Sequence, residues 1–186
     1  MIGVRVDMSL ADAVPDDFFL RECEGLGRYV YRIVWDVDDS ADIVQESFLR
    51  FYTLRAKEDN CGNDRALLFR LARNLAIDCV RERKKVQRLP GNVIHLAPAS
   101  PEDLAAEQEQ NKMVHSVLKS LNQRERECLS LRNSGLSYGE IATILNVKSN
   151  CVGQVLARAL RSFRKRYAEL QTTRPQFEES RPTRRG

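Results

Sequence analysis

ALLFRLARNLAIDCVRERKK, residues 66–85, begins as an apolar stretch and ends as a run of basic residues. Its apolar side chains recur at helical spacing and would share one face of an α-helix: Leu68, Leu71, Ala72, Leu75 and Cys79. A second face, with spacings of 4, 4, 3 and 4 residues, would carry Arg70, Asn74, Asp78, Arg81 and Lys85. The stretch therefore predicts a helix that packs on its own domain and is suited to hold a nucleic-acid strand with its other side.

Helical patterns also cover much of the remaining chain. Upstream of this stretch, an apolar stripe is formed by Val44, Phe48, Phe51 and Tyr52. A chain of 186 residues is long enough for one medium domain or two small ones. We therefore predict an all-α protein made of two small helical domains joined by a flexible linker.

The predicted linker, residues 89–110, contains three prolines and four acidic residues but no basic residue. We expect it to be extended at first and helical towards its end. The sequence is thus divided into five predicted segments. They are a mobile leader over 1–15, a first helical domain over 16–88, the linker over 89–110, a second helical domain over 111–170 and a disordered tail over 171–186.

The second domain has the helix start and stop signals of a helix-turn-helix. Asn122 is expected to cap one helix, which Gly135 would end in the left-handed conformation. Ser137 and Glu140 have the spacing of a capping box that starts the next helix. Asn146 would then turn the chain, and we expect Ser149 to cap a longer basic helix, which completes the helix-turn-helix layout.

Basic residues are concentrated in two blocks. Residues 70–88 hold seven bases against two acids, and residues 148–166 hold six bases and no acid, although the net charge is only +4. Two basic blocks on separate segments favour two contacts with a polyanion. Solvated helix faces are the alternative interpretation of each block.

Several function classes find no support in the sequence. The five cysteines form no CxxC pair and the two histidines lack metal-ligand spacing, so we expect a reducing compartment and no metal or cofactor. There is neither a signal peptide nor an apolar run of the roughly 18 residues that a membrane span needs, so we expect a cytoplasmic protein without a membrane partner.

Asp42 and Glu46 lie one helical turn apart, as on a solvated face, and no catalytic motif is present. The sequence therefore predicts a binding protein and not an enzyme.

Three segments, in this order, resemble the signature segments of the sigma-70 family of transcription factors. They are DDSADIVQESFLRFY (38–52), ALLFRLARNLAIDCVRERKK (66–85) and LNQRERECLSLRNSGLSYGEIATILNVKSNCVGQVLARALRSFRKR (121–166). The resemblance covers about residues 16–170, and the short length is similar to that of the extracytoplasmic-function (ECF) group. This group keeps a sigma-2 helical bundle, a linker and a sigma-4 helix-turn-helix domain. The resemblance implies a subunit that gives RNA polymerase its promoter specificity and opens the −10 region.

The resemblance also implies partners and residue roles. Core RNA polymerase would bind through its β′ clamp helices and β flap, with sigma-2 docking through Asp42, Gln45, Glu46 and Leu49. On a helical wheel these residues point away from the apolar stripe, with Gln45 at the border, so Leu49 would be exposed among acids. An ordinary solvated face with one stray leucine is the alternative. Because relatives are usually held inactive by an anti-sigma factor, such a partner is expected too.

For the −10 element, the resemblance implies capture of one DNA strand with a base flipped out of the stack. Asn74 and Asp78 would lie near that base, and a loop over residues 57–64 would select it through Lys57, Asp59, Asn60 and Asn63. Backbone phosphates would be held by Arg70, Arg73, Arg81, Arg83, Lys84 and Lys85. Many relatives have a tryptophan where this chain has Leu67, which puts any stacking role of that position in doubt.

For the −35 element, the resemblance implies readout in the major groove by the helix that starts near Ser149. Relatives often have a lysine and an arginine where this chain has Gly153 and Val155. DNA contacts would then be made by Lys148, Ser149, Asn150, Cys151, Gln154, Arg158 and Arg161.

Two competing hypotheses for the whole protein remain. It could be a regulator that binds duplex DNA through the helix-turn-helix alone, or a helical scaffold protein.

Overall fold

The computed structural model describes residues 17–57, 63–87 and 105–172, and all of its regular elements there are α-helices. The helices are α1 (Asp17–Val34), α2 (Val37–Arg55), α3 (Asp64–Gln87), α4 (Ala105–Ser120), α5 (Gln123–Asn133), α6 (Tyr138–Leu145) and α7 (Ser149–Thr172). The prediction of an all-α fold is confirmed. The predicted leader, most of the linker, Asp59, Asn60 and the tail beyond Thr172 lie outside the described residues.

Helices α1–α3 form the first bundle. Its core contains the expected apolar faces, because Val44, Phe48 and Phe51 are buried and so are Leu68 and Ala72 of α3. Tyr52 was expected in the same stripe, but 39% of it is exposed. Its ring instead lies at the edge of the core, against Phe48 and Phe51.

Helices α4–α7 form the second bundle, in which most of the predicted capping residues are confirmed. The Asn122 side chain accepts a hydrogen bond from the Glu125 amide at 2.9 Å. Ser137 and Glu140 form the capping box, and Gly135 and Asn146 adopt left-handed conformations with φ of 82° and 52°. Helix α6 and the N-terminal part of α7 thus form the predicted helix-turn-helix.

Two boundaries differ slightly from the prediction. Ser149 was expected to precede the last helix as its cap, but it is the first residue within α7. The same helix continues to Thr172, beyond the predicted domain end at 170. Because consecutive polar residues can each end or extend a helix, sequence signals leave such boundaries uncertain by one or two residues.

The two bundles pack against each other, which the sequence did not predict. Helix α1 contacts α5, and α3 contacts α6. Buried apolar side chains form one continuous cluster that extends from Leu26 and Phe69 in the first bundle to Leu136 and Ile141 in the second. The second bundle therefore lies against α1 and α3 of the first bundle.

In the part of the chain that the structure describes, no helix has both the length and the apolar character needed to cross a membrane.

Candidate nucleic-acid interface

The polar face of α3 is open to solvent along its length. Arg70, Asn74 and Asp78 are all exposed, at successive turns of the helix. Towards the C-terminal end, Arg81, Glu82, Lys84 and Lys85 are exposed. Lys85 pairs with Glu82 at 2.5 Å, and Arg81 lies 3.4 Å from Asp78. The opposite face is buried through Leu68, Ala72 and Ala76, so the predicted separation of a packing face and a polar face is confirmed. Whether this polar face holds a DNA strand stays a prediction.

Arg83 differs from its basic neighbours because its guanidinium is used within the first bundle. It forms ion pairs with Asp39 and, at 3.3 Å, with Asp36, and it donates a hydrogen bond to the Val34 carbonyl oxygen at 3.2 Å. These contacts tie the end of α3 to the junction of α1 and α2. The arrangement favours a structural role for Arg83, and its predicted contact with a DNA phosphate is untested.

Arg73 is also engaged, but by the second bundle. Its Nε donates to Glu127 Oε2 at 2.6 Å, and the Glu127 side chain is only 1% exposed. Gln123 donates to the other carboxylate oxygen at 2.7 Å. Tyr29 lies close by, and burial together with the negative charge of Glu127 raises the pKa of its hydroxyl well above the usual value. A predicted phosphate-binding arginine is thus neutralised by a carboxylate of the same chain.

The predicted specificity loop is described only at its ends, where Lys57 is exposed and Asn63 is ordered by two contacts. The Asn63 side chain accepts from the Ala66 amide at 2.9 Å, which caps α3, and donates to Glu140 Oε1 at 3.1 Å. Burial acts to raise the pKa of Glu140, but hydrogen bonds from Ser137 and Asn63 outweigh it and lower that pKa. Asn63 therefore links the start of α3 to the helix-turn-helix.

The predicted docking face of α2 has the expected exposure. Asp42 and Gln45 are exposed, and Leu49 is 41% exposed. Glu46 accepts a hydrogen bond from Arg50 one turn later, at 2.6 Å, and is partly exposed. A large apolar side chain bordered by acidic groups is consistent with a protein-docking spot, although no contact in the structure tests that role.

The N-terminal part of α7, with Lys148 directly before it, presents most of the predicted −35 contact residues to solvent. Exposed residues are Lys148, Ser149, Asn150, Gln154, Arg158 and Arg161, whereas Cys151 is half-buried. Val155 is partly buried against the core. The Tyr138 ring covers Gly153, where an added Cβ would lie 3.7 Å from Tyr138 Cε2. Val155 therefore packs within the second bundle, whereas the space around Gly153 would also accept an added Cβ.

Sequence reasoning missed the contacts around Trp35, at the junction of α1 and α2. Trp35 has a φ of 58°, which is rare for a large side chain, and its ring lies against His115 of α4. Lys119 Nζ is 4.7 Å from the centre of this ring and the Arg126 guanidinium 5.8 Å. Burial and the neighbouring Arg32 and Lys119 lower the pKa of His115. No sequence pattern indicated this cluster, because its members come from both bundles.

Arg65 was missed for the same reason. Its Nε donates to Glu22 at 2.8 Å within the first bundle, while its two terminal nitrogens donate to the carbonyl oxygens of Ser134 and Gly135. The guanidinium thus satisfies carbonyl groups at the C-terminal end of α5, where a positive charge is favourable. In the sequence, Arg65 is one more basic residue near a basic block.

Two cysteines are poorly suited to react as thiolates. Burial, together with a hydrogen bond donated to Asp39 at 3.0 Å, raises the pKa of the Cys79 thiol to about 11. Burial also raises the pKa of Cys128 to about 11. Because the thiolate is the reactive form, these two residues are suited to packing.

Comparison with known proteins assigns both bundles. Residues 24–86 match the family model described as sigma-70 region 2, and residues 111–163 match the one described as sigma-70, region 4. The chain belongs to the sigma-70 family. Relatives of this chain belong to the ECF group of that family. One of them, the ECF RNA polymerase sigma factor SigK of Mycobacterium tuberculosis, is 30% identical over a match that spans 73% of this chain and 75% of SigK.

Other ECF sigma factors are similar to the chain at slightly lower identity. SigW of Bacillus subtilis is 28% identical over 75% of this chain and 81% of SigW. BldN of Streptomyces coelicolor is 29% identical over 73% of this chain, but the chain spans only 53% of BldN. ECF sigma factors bind core RNA polymerase and direct promoter-specific initiation of transcription. They are transcription initiation factors.

Two solved structures with the same fold contain a sigma factor in complex with another protein. The sigma factor RpoE of Bartonella quintana, solved in complex with the anti-sigma factor NepR, superposes on this chain with a TM-score of 0.64 at 21% identity. The superposition covers 90% of this chain and 100% of RpoE. CnrH, in complex with the cytosolic domain of CnrY, gives a TM-score of 0.62 at 22% identity, over 84% of this chain and 87% of CnrH. At these identities the likeness shows the fold.

Proposed function

We propose that this ECF sigma factor joins core RNA polymerase through α2, reads the −35 element with the start of α7 and captures the −10 strand on the polar face of α3. One observation carries the proposal: the family's two DNA-binding regions each present an exposed basic and amide-bearing face. On α3 that face includes Arg70 and Asn74, and on α7 it includes Gln154 and Arg158. The protein would supply binding and positioning, without chemistry of its own.

The two faces are suited to different forms of DNA. Amide side chains such as Asn150 and Gln154 can pair with adenine edges in the major groove of a duplex, and both are exposed at the start of α7. The polar face of α3 is longer and combines basic side chains with two exposed polar residues, Asn74 and Asp78. Positive charge along such a face would follow a strand backbone, while the polar pair contacts an unstacked base.

Transcription from a purified system tests the proposal. The chain is mixed with core RNA polymerase and a library of promoter fragments, and run-off transcripts are sequenced. We expect specific start sites only when the chain and the core enzyme are both present. A specific, salt-sensitive duplex shift by the chain alone, without transcripts, would instead favour a helix-turn-helix regulator.

Docking through α2 can be tested with a matched pair of charge reversals. Glu46 and Glu24 each pair with an arginine four residues later, Arg50 and Arg28 respectively. Glu46→Lys should weaken core polymerase binding by about fivefold, because charged groups at the rim of an interface change affinity modestly. Glu24→Lys, on α1, should leave that affinity unchanged in the same titration, and equal effects of both would argue against docking at Glu46.

Two solved structures of this fold are complexes, of RpoE with the anti-sigma factor NepR and of CnrH with the cytosolic domain of CnrY. By that likeness we propose an anti-sigma partner for this chain as well. Copurification of a tagged chain from its own cells, followed by loss of transcription on adding the recovered partner, tests this. Recovery of core polymerase alone would count against such a partner under those growth conditions.

A further inference from the structure

The start of α7 carries no charged side chain between Ser149 and Ala157. Lys148 lies directly before the helix, and the next basic residue along the chain is Arg158. In a helix-turn-helix, the start of the second helix contacts base edges in the major groove. Flanking basic side chains hold backbone phosphates and carry no sequence information themselves. The part of α7 that is placed to read bases is therefore uncharged.

Three side chains of this uncharged segment share the face of α7 that points away from the core. Asn150, Gln154 and Ala157 are exposed and follow each other at spacings of 4 and 3 residues, so they lie in one row along the helix. Val152 and Leu156, between them in sequence, are buried on the opposite side. We call the three exposed residues the outward stripe. It is about 10 Å long, which matches about three stacked base pairs.

Each side chain of the outward stripe has a chemical partner on an A·T base pair. The amide of an asparagine or a glutamine pairs with N6 and N7 of adenine through two hydrogen bonds, and an alanine methyl contacts the C5 methyl of thymine. Guanine offers two acceptors, O6 and N7, which arginine or lysine binds most often. Because no arginine or lysine lies within the stripe, its chemistry favours A·T over G·C pairs.

The two amides of the outward stripe are available for such contacts. Within the residues that the structure describes, the Gln154 side chain has no hydrogen-bond partner. Asn150 Oδ1 accepts a weak hydrogen bond from the Cys151 thiol at 3.5 Å, but an amide oxygen has a second lone pair and its NH2 group donates twice. Both amides can therefore pair with a base without breaking a strong contact of the fold.

Gly153 lies beside the outward stripe and supplies no donor group. Relatives often have a lysine at this position, as noted above from the resemblance of the helix. A Cβ added at Gly153 would lie 3.7 Å from Tyr138 Cε2, an ordinary contact distance. Packing therefore does not require a glycine there, and a basic side chain can be introduced to test what its absence means for recognition.

We propose that the −35 element of this sigma factor has A·T base pairs where the outward stripe enters the major groove, and no guanine bound by residues 149–157. Asn150 and Gln154 bind adenines, and Ala157 contacts a thymine methyl group. Lys148 and Arg158, both exposed, hold phosphates on either side of these pairs. The inference rests on the proposed function and names the class of DNA sequence that α7 recognises.

A promoter library tests the proposal with the complete holoenzyme. The strongest promoter found in the run-off experiment is randomised across its −35 region, and the transcripts are sequenced through a barcode. At the positions whose preference is weakened by Asn150→Ala or Gln154→Ala, we expect A·T pairs to be favoured over G·C pairs by about fivefold or more. Favoured G·C pairs at those positions would overturn the proposal. So would a preference for A·T pairs that neither variant weakens, because DNA shape would then be read instead.

A change of specificity provides a sharper test than a loss. Gln154→Arg replaces an adenine-binding amide with a guanine-binding group, so the preference at one base pair should change from A·T to G·C by about tenfold. Gln171→Arg adds the same charge at the exposed far end of α7 and should keep the wild-type preference. Circular dichroism verifies that both variants are folded. A folded Gln154→Arg variant that still favours A·T at every position would contradict the proposal.

Gly153→Lys tests the missing guanine contact. The added ammonium group should create a preference for guanine of about fivefold at a base pair next to those read by the stripe, whereas Gly153→Ala should create none. A folded Gly153→Lys variant without this preference would overturn the part of the proposal that concerns guanine.

Failure of the inference and failure of the proposed function give different results. A holoenzyme that initiates at specific sites and favours G·C pairs opposite the outward stripe contradicts the inference and leaves the proposed function intact. Absence of specific transcripts from every promoter would refute the proposed function, and the inference with it.

Discussion

Helices α3 and α7 are both 24 residues long and both basic, yet their basic residues are used differently. In α3, Arg65, Arg73 and Arg83 form ion pairs with acids of other helices, Glu22, Glu127 and Asp39. The remaining basic residues whose exposure is described are exposed, and two of them pair only along α3 itself, Arg81 with Asp78 and Lys85 with Glu82. In α7, the exposed basic residues include Arg158, Arg161 and Arg164, and Lys148 is exposed directly before the helix. A high count of basic residues therefore has a different meaning in the two helices.

The difference follows from where each helix lies. Helix α3 packs against α1 and α2 of its own bundle and also against α6 of the other. With helices on several sides, including α5 through the Arg73–Glu127 pair, α3 has several long side chains that meet carboxylates in need of a partner. Among the described residues, the main contacts of helix α7 are with helices of the second bundle, α4, α5 and α6, and its first turns are exposed at Ser149, Asn150 and Gln154. Position relative to neighbouring helices, and not charge density, decides which arginines are available to DNA.

The largest expected effect concerns the arginines of α3 that serve the fold. Arg83→Ala should lower the free energy of unfolding by about 1.5–3 kcal/mol, because it removes charged hydrogen bonds to partly buried carboxylates. Arg81→Ala, next to it but exposed and 3.4 Å from Asp78, should change that free energy by less than about 0.5 kcal/mol. Urea denaturation of both variants measures their free energies of unfolding. Equal values for the two variants would show that Arg83 does not stabilise the fold more than an exposed arginine does.

The next effect concerns the exposed part of α3. Asn74→Ala should slow promoter opening about tenfold, the equivalent of one lost hydrogen bond to an unstacked base, and leave core polymerase binding unchanged. Asn111→Ala, at an exposed position of α4, is the control. Permanganate footprinting of the −10 region measures opening. A parallel loss of polymerase binding would assign Asn74 a structural role instead.

A smaller effect is expected on α7. Gln154→Ala should lower the preference for the correct −35 sequence over a mutated one by about fivefold, since one bidentate contact to a base is lost. Gln171→Ala, at the exposed far end of the same helix, should keep the full preference. Competitive transcription from the two promoters provides the readout. If the Gln154→Ala variant keeps the full preference for the correct −35 sequence, residues outside this turn of α7 recognise that element.

The smallest effect tests whether α7 needs its glycine. Gly153→Ala should raise the free energy of unfolding by up to about 1 kcal/mol, because alanine favours helix and the new Cβ finds ordinary contact with Tyr138. Thermal unfolding measures the gain, and transcription assays should show unchanged −35 use. Reduced −35 use by a stabilised protein would reveal that DNA approaches the backbone closely at Gly153.

Much of the fold followed from local patterns. The spacing of Leu68 and Ala72 predicted the buried face of α3, and the capping box at Ser137 and Glu140 predicted the start of α6. Such features depend on residues within a few positions of each other, so a sequence displays them directly. The candidate DNA-binding faces were predicted to be exposed in the same way, from helical periodicity and the resemblance of motifs.

The sequence by itself determined the helices, the two bundles, their family and the faces turned away from each core, because periodicity, caps and motif order are local properties of the chain. Only the tertiary structure decided that Arg73 is held by Glu127, that Asn63 reaches Glu140 and that Trp35 lies among residues of the second bundle. Arg73 and Glu127 are 54 positions apart. Such pairs depend on how two separately formed bundles meet, and that relation leaves no periodic signal in the amino-acid sequence.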